Sequence, residues 1–398
     1  MPSPFHIEQA SGDDGMTETG HVSPLKGITP KKLQGADERL ARTSWLTRLL
    51  RRPESGVACG LIATFVIFAL LPGAQSLYSL QGSMTFLTLA AELGILAAAV
   101  SLLIIAGEFD LSIGSMIGFA GVVIGLTVKY LSFPLWGGIA SAFAVALLTG
   151  YLNGLIVVKT KLPSFIVTLA SLFILRGLSI GITRAVTGRT QIPYILDDVP
   201  DPWVASIFNG HVLTGLFHWM GEMGWIAVKA NGTPFVAGIP MSIVWWLIIT
   251  AIAGWILTET RFGNWIYASG GDPVVARNVG VPVSRVKIIL FITSACAATL
   301  LATIQVMEAG SADTVRGSLK EFEAIIAVVV GGVLLTGGYG TIYGAAFGAL
   351  IFGLVQMGIF YTGIDTDWFK VFLGIVILVA VLVNNYTRAK ALGERASS

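Results

Sequence analysis

Apolar residues in this chain come in long blocks separated by short polar stretches. Ten such blocks follow a polar N-terminal region, and a membrane-spanning helix needs about 20 predominantly apolar residues, with a range of about 17–25. The pattern therefore predicts an all-α polytopic membrane protein with about ten transmembrane helices. The ten segments are Val57–Gly73, Ser83–Ala106, Leu111–Lys129, Leu135–Val158, Ser164–Thr183, Met241–Thr258, Val286–Val306, Phe322–Leu335, Thr341–Tyr361 and Trp368–Asn384.

The eighth segment, Phe322–Leu335, is short for a full span. Irregular backbone at membrane depth is tolerated only where protein buries it or where it lines a cavity. We therefore expect a half-helix or a tilted piece that is buried in protein.

The positions of lysine and arginine predict that both termini are cytoplasmic, because cytoplasmic loops carry an excess of these residues. This orientation gives an N-terminal extension (1–52), a membrane domain (53–386) with a long outer loop (184–240) and a cytoplasmic loop (259–287), and a cytoplasmic tail (387–398). The inner cations are then Arg39, Arg42, Arg48, Arg51, Arg52, Lys159, Lys161, Arg261, Arg277, Arg285, Lys287, Arg388, Lys390 and Arg395, and the outer ones are Lys129, Arg184, Arg189, Lys229, Arg316 and Lys320.

Composition agrees with lipid as the main solvent of the chain. Of its 398 residues 54% are hydrophobic and 12% are charged, whereas soluble domains carry about 25% charged residues. The net charge of +2 gives no reason to expect a nucleic-acid partner. The two cysteines, Cys59 and Cys296, are too few for a disulfide framework and have no metal-site spacing.

The N-terminal extension is expected to be disordered up to about Asp37, because it is polar and interrupted by prolines. The following stretch, Glu38–Arg52, mixes leucines and a tryptophan with five arginines, which predicts an interfacial helix. We expect no signal peptide, because the first apolar segment begins late and no convincing cleavage site follows it.

The loop Glu259–Lys287 is polar, cationic and long enough to fold. Asp272 is a good N-cap and Pro273 a good first helical residue, while Gly280 is a good stop. The loop should therefore hold a helix of about two turns at the cytoplasmic surface. Such a helix suits the docking of a soluble partner, although an ordinary connecting loop is equally compatible with the spacing.

A second candidate region is the break Ala106–Gly121. Glu108 and Asp110 lie between two apolar segments, and acids in such positions are costly unless they are solvated or paired. Either the break reaches cytoplasmic water or it lines an aqueous path, and Ser112 belongs to the same polar group. Asp110 is also expected to cap the next helix.

Isolated polar residues inside the apolar segments form a third candidate set: Glu92, Asn153, Arg176 and Gln305. With about 1.5 Å of rise per residue, Glu92 and Arg176 fall at similar depths in the bilayer. An ion pair between them is therefore allowed, and the alternative is that each faces the protein interior separately.

A fourth feature is the glycine-rich stretch Gly331–Gly353. Gly340, Gly344 and Gly348 recur every four residues, which predicts one smooth helix face for close packing. Gly337 and Gly338 are expected to form the turn before that helix. A phosphate-binding loop is excluded, because no lysine follows the glycines.

No catalytic or metal-binding set is evident. The sequence has no HExxH, GxSxG or Walker A motif. His211 and His218 in the outer loop are seven residues apart and would share one face of a helix, but no acidic or cysteine ligand has a helpful spacing, so we expect no metal site. The outer loop also carries Trp203, Trp219 and Trp225, which predict an amphipathic segment at the outer surface.

Taken together and in order, several motifs resemble the permease subunits of ribose-type sugar ABC importers, the family that also includes xylose, galactose and autoinducer-2 permeases. The resemblance covers roughly Ser83–Asn384. The matching motifs are GEFDLSIGS (Gly107–Ser115), the step Asn153–Gly154, KLPSFIVTLASLFILRGL (Lys161–Leu178), YASGGDPVVARNVGVPVSRVKI (Tyr267–Ile288) and EAIIAVVVGGVLLTGGYGTIYGAAFGALIFGLVQMGI (Glu323–Ile359).

The resemblance implies a ten-helix inner-membrane permease that dimerises with a second copy or a paralogue around a central path. It implies a periplasmic sugar-binding protein and an ABC ATPase subunit that uses ATP, with no cofactor held by this chain. It also makes the segment Gly271–Gly280 the coupling helix that docks in the ATPase. The implied coupling residues are Gly271, Asp272, Pro273, Ala276, Arg277 and Gly280, and the candidate path residues are Glu92, Glu108, Asp110, Ser112, Asn153 and Arg176.

The chain departs from the family pattern in the Glu-Phe pair before Asp110, in its longer outer loop and in its extended N-terminus. Two functions remain open at this point: the permease of an ABC importer, and a secondary transporter that uses Glu92, Glu108 and Asp110 to couple to an ion gradient. A membrane-embedded enzyme lacks any nucleophile or metal constellation. Dependence of uptake on ATP, and its survival of an uncoupler, distinguishes the first two.

Overall fold

The computed structural model describes residues 54–365 except 198, 200 and 201, together with 367–372, 374, 375 and 378. The chain divides into two units, residues 1–48 and 49–398. The first unit lies outside the described residues. So do the predicted interfacial helix, the tail 387–398 and the last part of the tenth segment.

Helices make up most of the described chain. Four two-residue strands form two antiparallel pairs, β1 (Gln191–Ile192) with β4 (Ala312–Asp313) and β2 (His211–Val212) with β3 (Ile239–Pro240). A 3₁₀ turn at Ala74–Tyr78 joins the first two helices. The helices are α1 (Glu54–Leu70), α2 (Leu80–Ile105), α3 (Ile113–Lys129), α4 (Leu135–Thr160), α5 (Ser164–Thr187), α6 (Pro202–Asn209), α7 (Thr214–Glu222), α8 (Met241–Glu259), α9 (Arg261–Gly271), α10 (Pro273–Asn278), α11 (Val283–Ala309), α12 (Lys320–Val330) and α13 (Ile342–Thr362).

Six helices of the described part are long and apolar enough to cross a membrane, namely α2, α4, α5, α8, α11 and α13. Two shorter apolar helices, α1 and α3, accompany them. The prediction of a helical polytopic membrane protein is therefore confirmed.

Helix α2 lies at the centre of the fold. Nearly every residue from Ala90 to Ile105 is buried, and the helix packs against α8, α11, α12 and α13. Its small residues allow this close approach. At Gly94 a Cβ atom would overlap the indole of Trp246 on α8, so the helix cannot carry a larger side chain there.

Two spans are broken into an extended or irregular segment and a shorter helix. Helix α2 ends before Gly107, which has a φ of 82°, and α11 ends before Gly310, which has a φ of 61°. Each glycine is followed by extended or irregular chain and then by α3 or α12. Helix α12 has eleven residues, about 16 Å at 1.5 Å per residue, which confirms the expected half-helix.

The two shorter helices, α3 and α12, begin beside each other. A Cβ at Gly114, the second residue of α3, would overlap the carboxylate of Glu321, the second residue of α12. One turn later, a Cβ at Gly118 would lie 2.7 Å from the carbonyl oxygen of Thr314. Glycines on α3 therefore let the chain leading into α12 pack directly on this helix.

The outer loop contains α6, α7 and a short hairpin closed by the bridge between Val228 and Pro234. Trp203 and Trp225 are 62% and 67% exposed. His211 lies in β2 rather than on the helix that carries His218, so the idea that they share a helical face is wrong. Among the described residues no group of three or more histidine, cysteine or acidic side chains could hold a metal ion.

Candidate functional site

The cationic loop between α8 and α11 folds into two helices, α9 and α10. Asp272 caps α10 by accepting hydrogen bonds from the backbone N–H groups of Val274 (2.8 Å) and Val275 (3.0 Å). Pro273 occupies the first helical position, and Gly280 has a φ of 89° just past the helix end. The predicted capped helix is confirmed; the eleven-residue helix α9 before it was not predicted.

Helix α10 presents an aliphatic surface to its surroundings. Val274, Val275 and Val279 are 62%, 55% and 74% exposed, whereas Ala276 is 3% exposed and faces the body of the protein. Gly271, Asp272, Arg277 and Gly280 are also exposed. The side chains that a docked partner would meet are therefore the valines together with Arg277, and Ala276 is a packing residue.

Glycines join this loop to both broken spans. A Cβ at Gly270, the last residue but one of α9, would overlap the carbonyl oxygen of Ile105 at the end of α2. The Gly338 N–H donates a hydrogen bond to the same carbonyl oxygen at 2.8 Å. At Gly337 a Cβ would lie 2.9 Å from the Cα of Gly107. The loop thus contacts the end of α2 and the turn after α12 at one place.

A salt bridge adds a fourth link. Lys287, in the second turn of α11, pairs with Glu108 in the extended segment after α2. Since α10 leads into α11 through only four residues, this salt bridge connects the exposed helix closely to the broken span. Lys287 was interpreted from the sequence only as a topology signal.

Residues 108–112 of the extended segment are buried or half-buried in protein, and hydroxyl groups of α5 accept hydrogen bonds from two of their backbone N–H groups. The Phe109 N–H donates to Ser164 Oγ at 3.0 Å, and the Leu111 N–H donates to Thr168 Oγ1 at 3.1 Å. Ser164 and Thr168 are one helical turn apart, so their hydroxyl groups lie beside two N–H donors of the extended segment. This is the protein burial that irregular backbone requires at membrane depth.

Asp110 is the centre of a buried hydrogen-bond network. Its carboxylate accepts from the N–H of Ser112 (2.9 Å) and from the hydroxyl of Ser294 on α11 (2.9 Å). The Ser112 hydroxyl donates to Asp110 and accepts from the Asn153 amide of α4 (3.2 Å), and Ser171 of α5 donates to Asn153 (2.5 Å). The network therefore joins the extended segment, α4, α5 and α11.

Burial limits what this network can do in the present conformation. Glu108, Asp110, Ser112 and Asn153 are 7%, 3%, 2% and 3% exposed, so they face neither bulk water nor an open path here. Asp110 is not the N-cap of α3, because Ser112 occupies that position. That these residues line the transport path stays a prediction. Ser294 and Ser171 were missed, although their hydroxyls inside apolar helices were the available signal.

The proposed ion pair between Glu92 and Arg176 is wrong. Glu92 accepts a hydrogen bond from the Gln305 amide at 2.7 Å, and no salt bridge between described residues joins it to Arg176. Arg176 instead lies within electrostatic range of Glu321. The two residues do not meet because α2 is central and α5 packs mainly on α3 and α4.

The prediction of a glycine face for close helix packing is correct in part. Gly344 and Gly348 lie on α13. A Cβ at Gly344 would overlap the carbonyl oxygen of Gly331, just past the end of α12, and a Cβ at Gly348 would overlap that of Ala327 on α12. Gly340 lies outside the helix with a φ of 145°, because Thr341 caps α13 by accepting from the Gly344 N–H. Gly353 of the same helix is also in a tight contact, since its Cβ would lie 2.7 Å from the Phe86 carbonyl oxygen.

The chain is similar to known transport permeases. The model of the family described as branched-chain amino acid transport system / permease component matches residues 83–381. The chain is 31% identical to the ribose import permease protein RbsC of Escherichia coli (strain K12) over 82% of this chain and 92% of that protein.

Two further relatives carry other sugar names. Identity is 28% to the fructose import permease protein FrcC of Rhizobium meliloti, over 83% of this chain and 85% of the relative. Identity is 29% to the xylose transport system permease protein XylH of Escherichia coli (strain K12), over 75% of this chain and 83% of the relative. No solved structure matches the chain.

Proposed function

Because this chain belongs to the family of branched-chain amino acid transport system permease components, we propose that it forms the membrane path of a bacterial inner-membrane ABC importer for a monosaccharide or a similar small polyhydroxylated solute. The observation that carries the proposal is the 31% identity to a ribose import permease over 92% of that protein's length. Relatives named for fructose and xylose support the same class of solute. The family match favours this role over an ion-coupled transporter.

Energy for transport comes, in this proposal, from a separate ABC ATPase subunit that binds ATP, and this chain binds no cofactor. The capped helix α10 supports this assignment. Its exposed valines offer an aliphatic docking surface, and its neighbours contact both broken spans. Movement of the docked ATPase would therefore reach the membrane domain through Gly270 and through the Glu108–Lys287 salt bridge.

The remaining partners are a periplasmic sugar-binding protein and a second permease copy or paralogue. The outer loop with its hairpin and exposed tryptophans is the surface that we assign to the outside. Ten spans are supported by six long helices, by α1, by the two broken spans that contain α3 and α12, and by the tenth apolar segment. An even number of spans places both termini on the same side of the membrane, and the excess of lysine and arginine assigns that side to the cytoplasm.

Uptake measurements test the proposal. Cells that express the chain with its ATPase and binding protein should accumulate labelled D-ribose, D-xylose or D-fructose, and accumulation should persist when an uncoupler collapses the proton gradient while ATP is maintained. Replacing the Walker A lysine of the ATPase should abolish it. Uptake that the uncoupler stops and that the ATPase variant leaves intact would support the ion-coupled alternative instead.

A further inference from the structure

Two short stretches of the chain repeat one another at a spacing of 203 residues. Ala106–Ser115 reads AGEFDLSIGS and Ala309–Ser318 reads AGSADTVRGS, with five identical positions. The long helices α2 and α11 end beside the Ala-Gly step, and the shorter helices α3 and α12 follow the repeated stretch. The two broken spans are therefore equivalent elements of an internal repeat.

The repeated aspartates form the same local turn. Asp110 accepts a hydrogen bond from the N–H of Ser112, two residues further on, at 2.9 Å. Asp313 accepts from the N–H of Val315, also two residues further on, at 2.9 Å. The side chain at this position of the repeat thus shapes the backbone that leads into each shorter helix.

Contacts between the two halves of the repeat are reciprocal. A Cβ at Gly114 would lie 2.5 Å from the carbonyl oxygen of Gly317, and a Cβ at Gly317 would lie 2.5 Å from the carbonyl oxygen of Gly114. Gly150 of α4 is as close to the backbone of α11 (2.6 Å) as Gly353 of α13, at the same spacing of 203 residues, is to that of α2 (2.7 Å). Inverted-topology repeats in transporters produce such exchanged contacts.

The repeated segments are held at opposite faces of the membrane domain. Segment 107–112 begins beside Gly270 of the cytoplasmic loop, and its Glu108 pairs with Lys287. Segment 310–319 follows the end of α11, a helix of 27 residues that starts just after α10. Since such a helix is about 40 Å long at 1.5 Å per residue, the second segment begins at the face opposite α10.

At that outer face, the β1–β4 pair joins the second segment to the start of the outer loop. Gln191 lies opposite Asp313 in the pair, and Gln191 Nε2 donates to Asp313 Oδ2 at 2.7 Å. The Ile195 N–H donates to the Gly310 carbonyl oxygen at 2.9 Å. Tyr194 is 66% exposed, so a partner at the outer face can contact this part of the loop directly.

The same part of the outer loop also contacts α3. Ile192 and Ala312 are fully buried, and a Cβ at Gly125 of α3 would lie 3.0 and 3.4 Å from their side chains. Lys129, at the end of α3, donates to the Pro193 carbonyl oxygen at 2.7 Å. Displacement of the loop would therefore reach both shorter helices.

We propose that the β1–β4 pair is the outer coupling element of this permease. Docking of the sugar-loaded binding protein moves the pair and, with it, segment 310–319 and α12. The reciprocal contact of Gly114 and Gly317 passes this movement to segment 107–112, which the Glu108 salt bridge ties to the cytoplasmic loop. The identity of the partner rests on the proposed function, whereas the link between the two segments does not. In this role Gln191 and Asp313 are positioning residues.

A reversible disulfide across the pair tests the role. Gln191→Cys and Asp313→Cys are combined in a permease whose Cys59 and Cys296 are replaced by serine, assembled with its ATPase. Opposite residues of an antiparallel pair have Cα atoms about 4.5–5.5 Å apart, within the range of about 4.4–6.8 Å that a disulfide spans. In the reduced variant, stimulation of ATP hydrolysis by binding protein loaded with D-ribose, D-xylose or D-fructose should fall about threefold or more, because the side-chain hydrogen bond is lost. Oxidation should restore it.

Controls separate coupling from folding. Basal ATP hydrolysis should stay at the level of the cysteine-free parent, which receives the same oxidation and reduction. Asp313→Ala should also lower stimulation, whereas Asp365→Ala should not, although Asp365 forms the same type of turn with the Asp367 N–H after α13. Parent-like stimulation of the reduced variant overturns the proposal, and so does a loss that oxidation does not reverse. An equal loss of basal and stimulated hydrolysis also overturns it, because that result indicates a purely structural role.

Amide hydrogen exchange of the permease alone tests the link without any partner. Closing the disulfide should slow exchange about threefold or more in both segments, 310–319 and 107–112, because each is held by few contacts. Helix α1, which packs on α13, is the reference and should not change. Slower exchange in both segments, combined with a parent importer that the binding protein does not stimulate, would contradict the proposed function and support the link. Slower exchange confined to 310–319 overturns the link.

Discussion

Lys287 of α11 and Glu108 of the extended segment form a salt bridge with side chains only 15% and 9% exposed. Breaking one partner of a buried pair costs about 3–5 kcal/mol, and partial exposure reduces that cost here. Lys287→Met should therefore lower thermal stability in detergent, and so should Glu108→Gln. The double variant Glu108→Gln/Lys287→Met should lose less stability than the sum of the two single losses. Strictly additive losses in this cycle would show that the two groups do not stabilise each other.

The exposed face of α10 gives a second prediction. Val275→Asp places a charge in the proposed ATPase contact and should reduce co-purification of the ATPase strongly, with insertion of the permease unchanged. Val315→Asp is a matched control, because Val315 is similarly exposed (51%) but lies in the chain before α12. Ala276→Trp should also uncouple the subunits, through displacement of the helix, since Ala276 is buried. Equal co-purification of Val275→Asp and Val315→Asp would place the docking site elsewhere.

A third prediction concerns helix packing. Gly348→Leu should lower the yield of folded protein, because the side chain has to displace the backbone of α12, and overpacking of a tight contact is destabilising. Gly353→Leu should be comparably harmful, since it faces the backbone of α2. Gly181→Leu is the control, with no neighbouring atom within 4 Å. Fluorescence-detected size exclusion of the three variants measures the effect, and a uniform yield would contradict the packing role.

The hydroxyl of Thr168 supports a fourth prediction. Thr168→Val removes the acceptor for the Leu111 N–H, and a buried donor left unpaired costs about 1–3 kcal/mol. Thr168→Ser should restore most of the lost thermal stability. Thr293→Val provides the comparison, because the Thr293 hydroxyl, within the described part of the chain, bonds only to the backbone oxygen of Ile289 in its own helix. A wild-type melting temperature for Thr168→Val would mean that the extended segment is held by other groups.

Topology supplies a fifth prediction. A fluorescent protein fused to the C-terminus should fold and fluoresce, because the proposed topology places the tail in the cytoplasm, whereas alkaline phosphatase fused there should be inactive. Asn231→Cys in the outer hairpin should react with a membrane-impermeant thiol reagent in intact spheroplasts. Active phosphatase at the C-terminus would show that the number of spans is odd.

Local signals in the sequence predicted local structure well. The cap at Asp272 and the stop at Gly280 depend on neighbours along the chain, and they predicted α10 correctly. The short eighth segment likewise predicted a half-helix. Each of these features is decided by residues within a few positions of one another.

Contacts between distant elements were predicted poorly. The position of a residue along a helix follows from counting residues. Which side chains meet depends on which helices are adjacent, and this is why Glu92 and Arg176 do not form a pair. The partners of Asp110 and Glu108, Ser294 and Lys287, come from a helix almost two hundred residues further along the chain. Gly340 was wrongly expected on the helix. Thr341 is the N-cap of α13, so the helix begins only after Gly340.

The two broken spans give the membrane domain an uneven stiffness. A continuous helix is held by a hydrogen bond at nearly every residue and bends little, whereas the segment 107–112 is held by a few hydroxyl and carboxylate contacts. Large backbone rotations in proteins are absorbed by a few residues at the ends of elements. If α3 or α12 changes its tilt, we therefore expect the backbone rotation to concentrate in the short segments that follow Gly107 and Gly310.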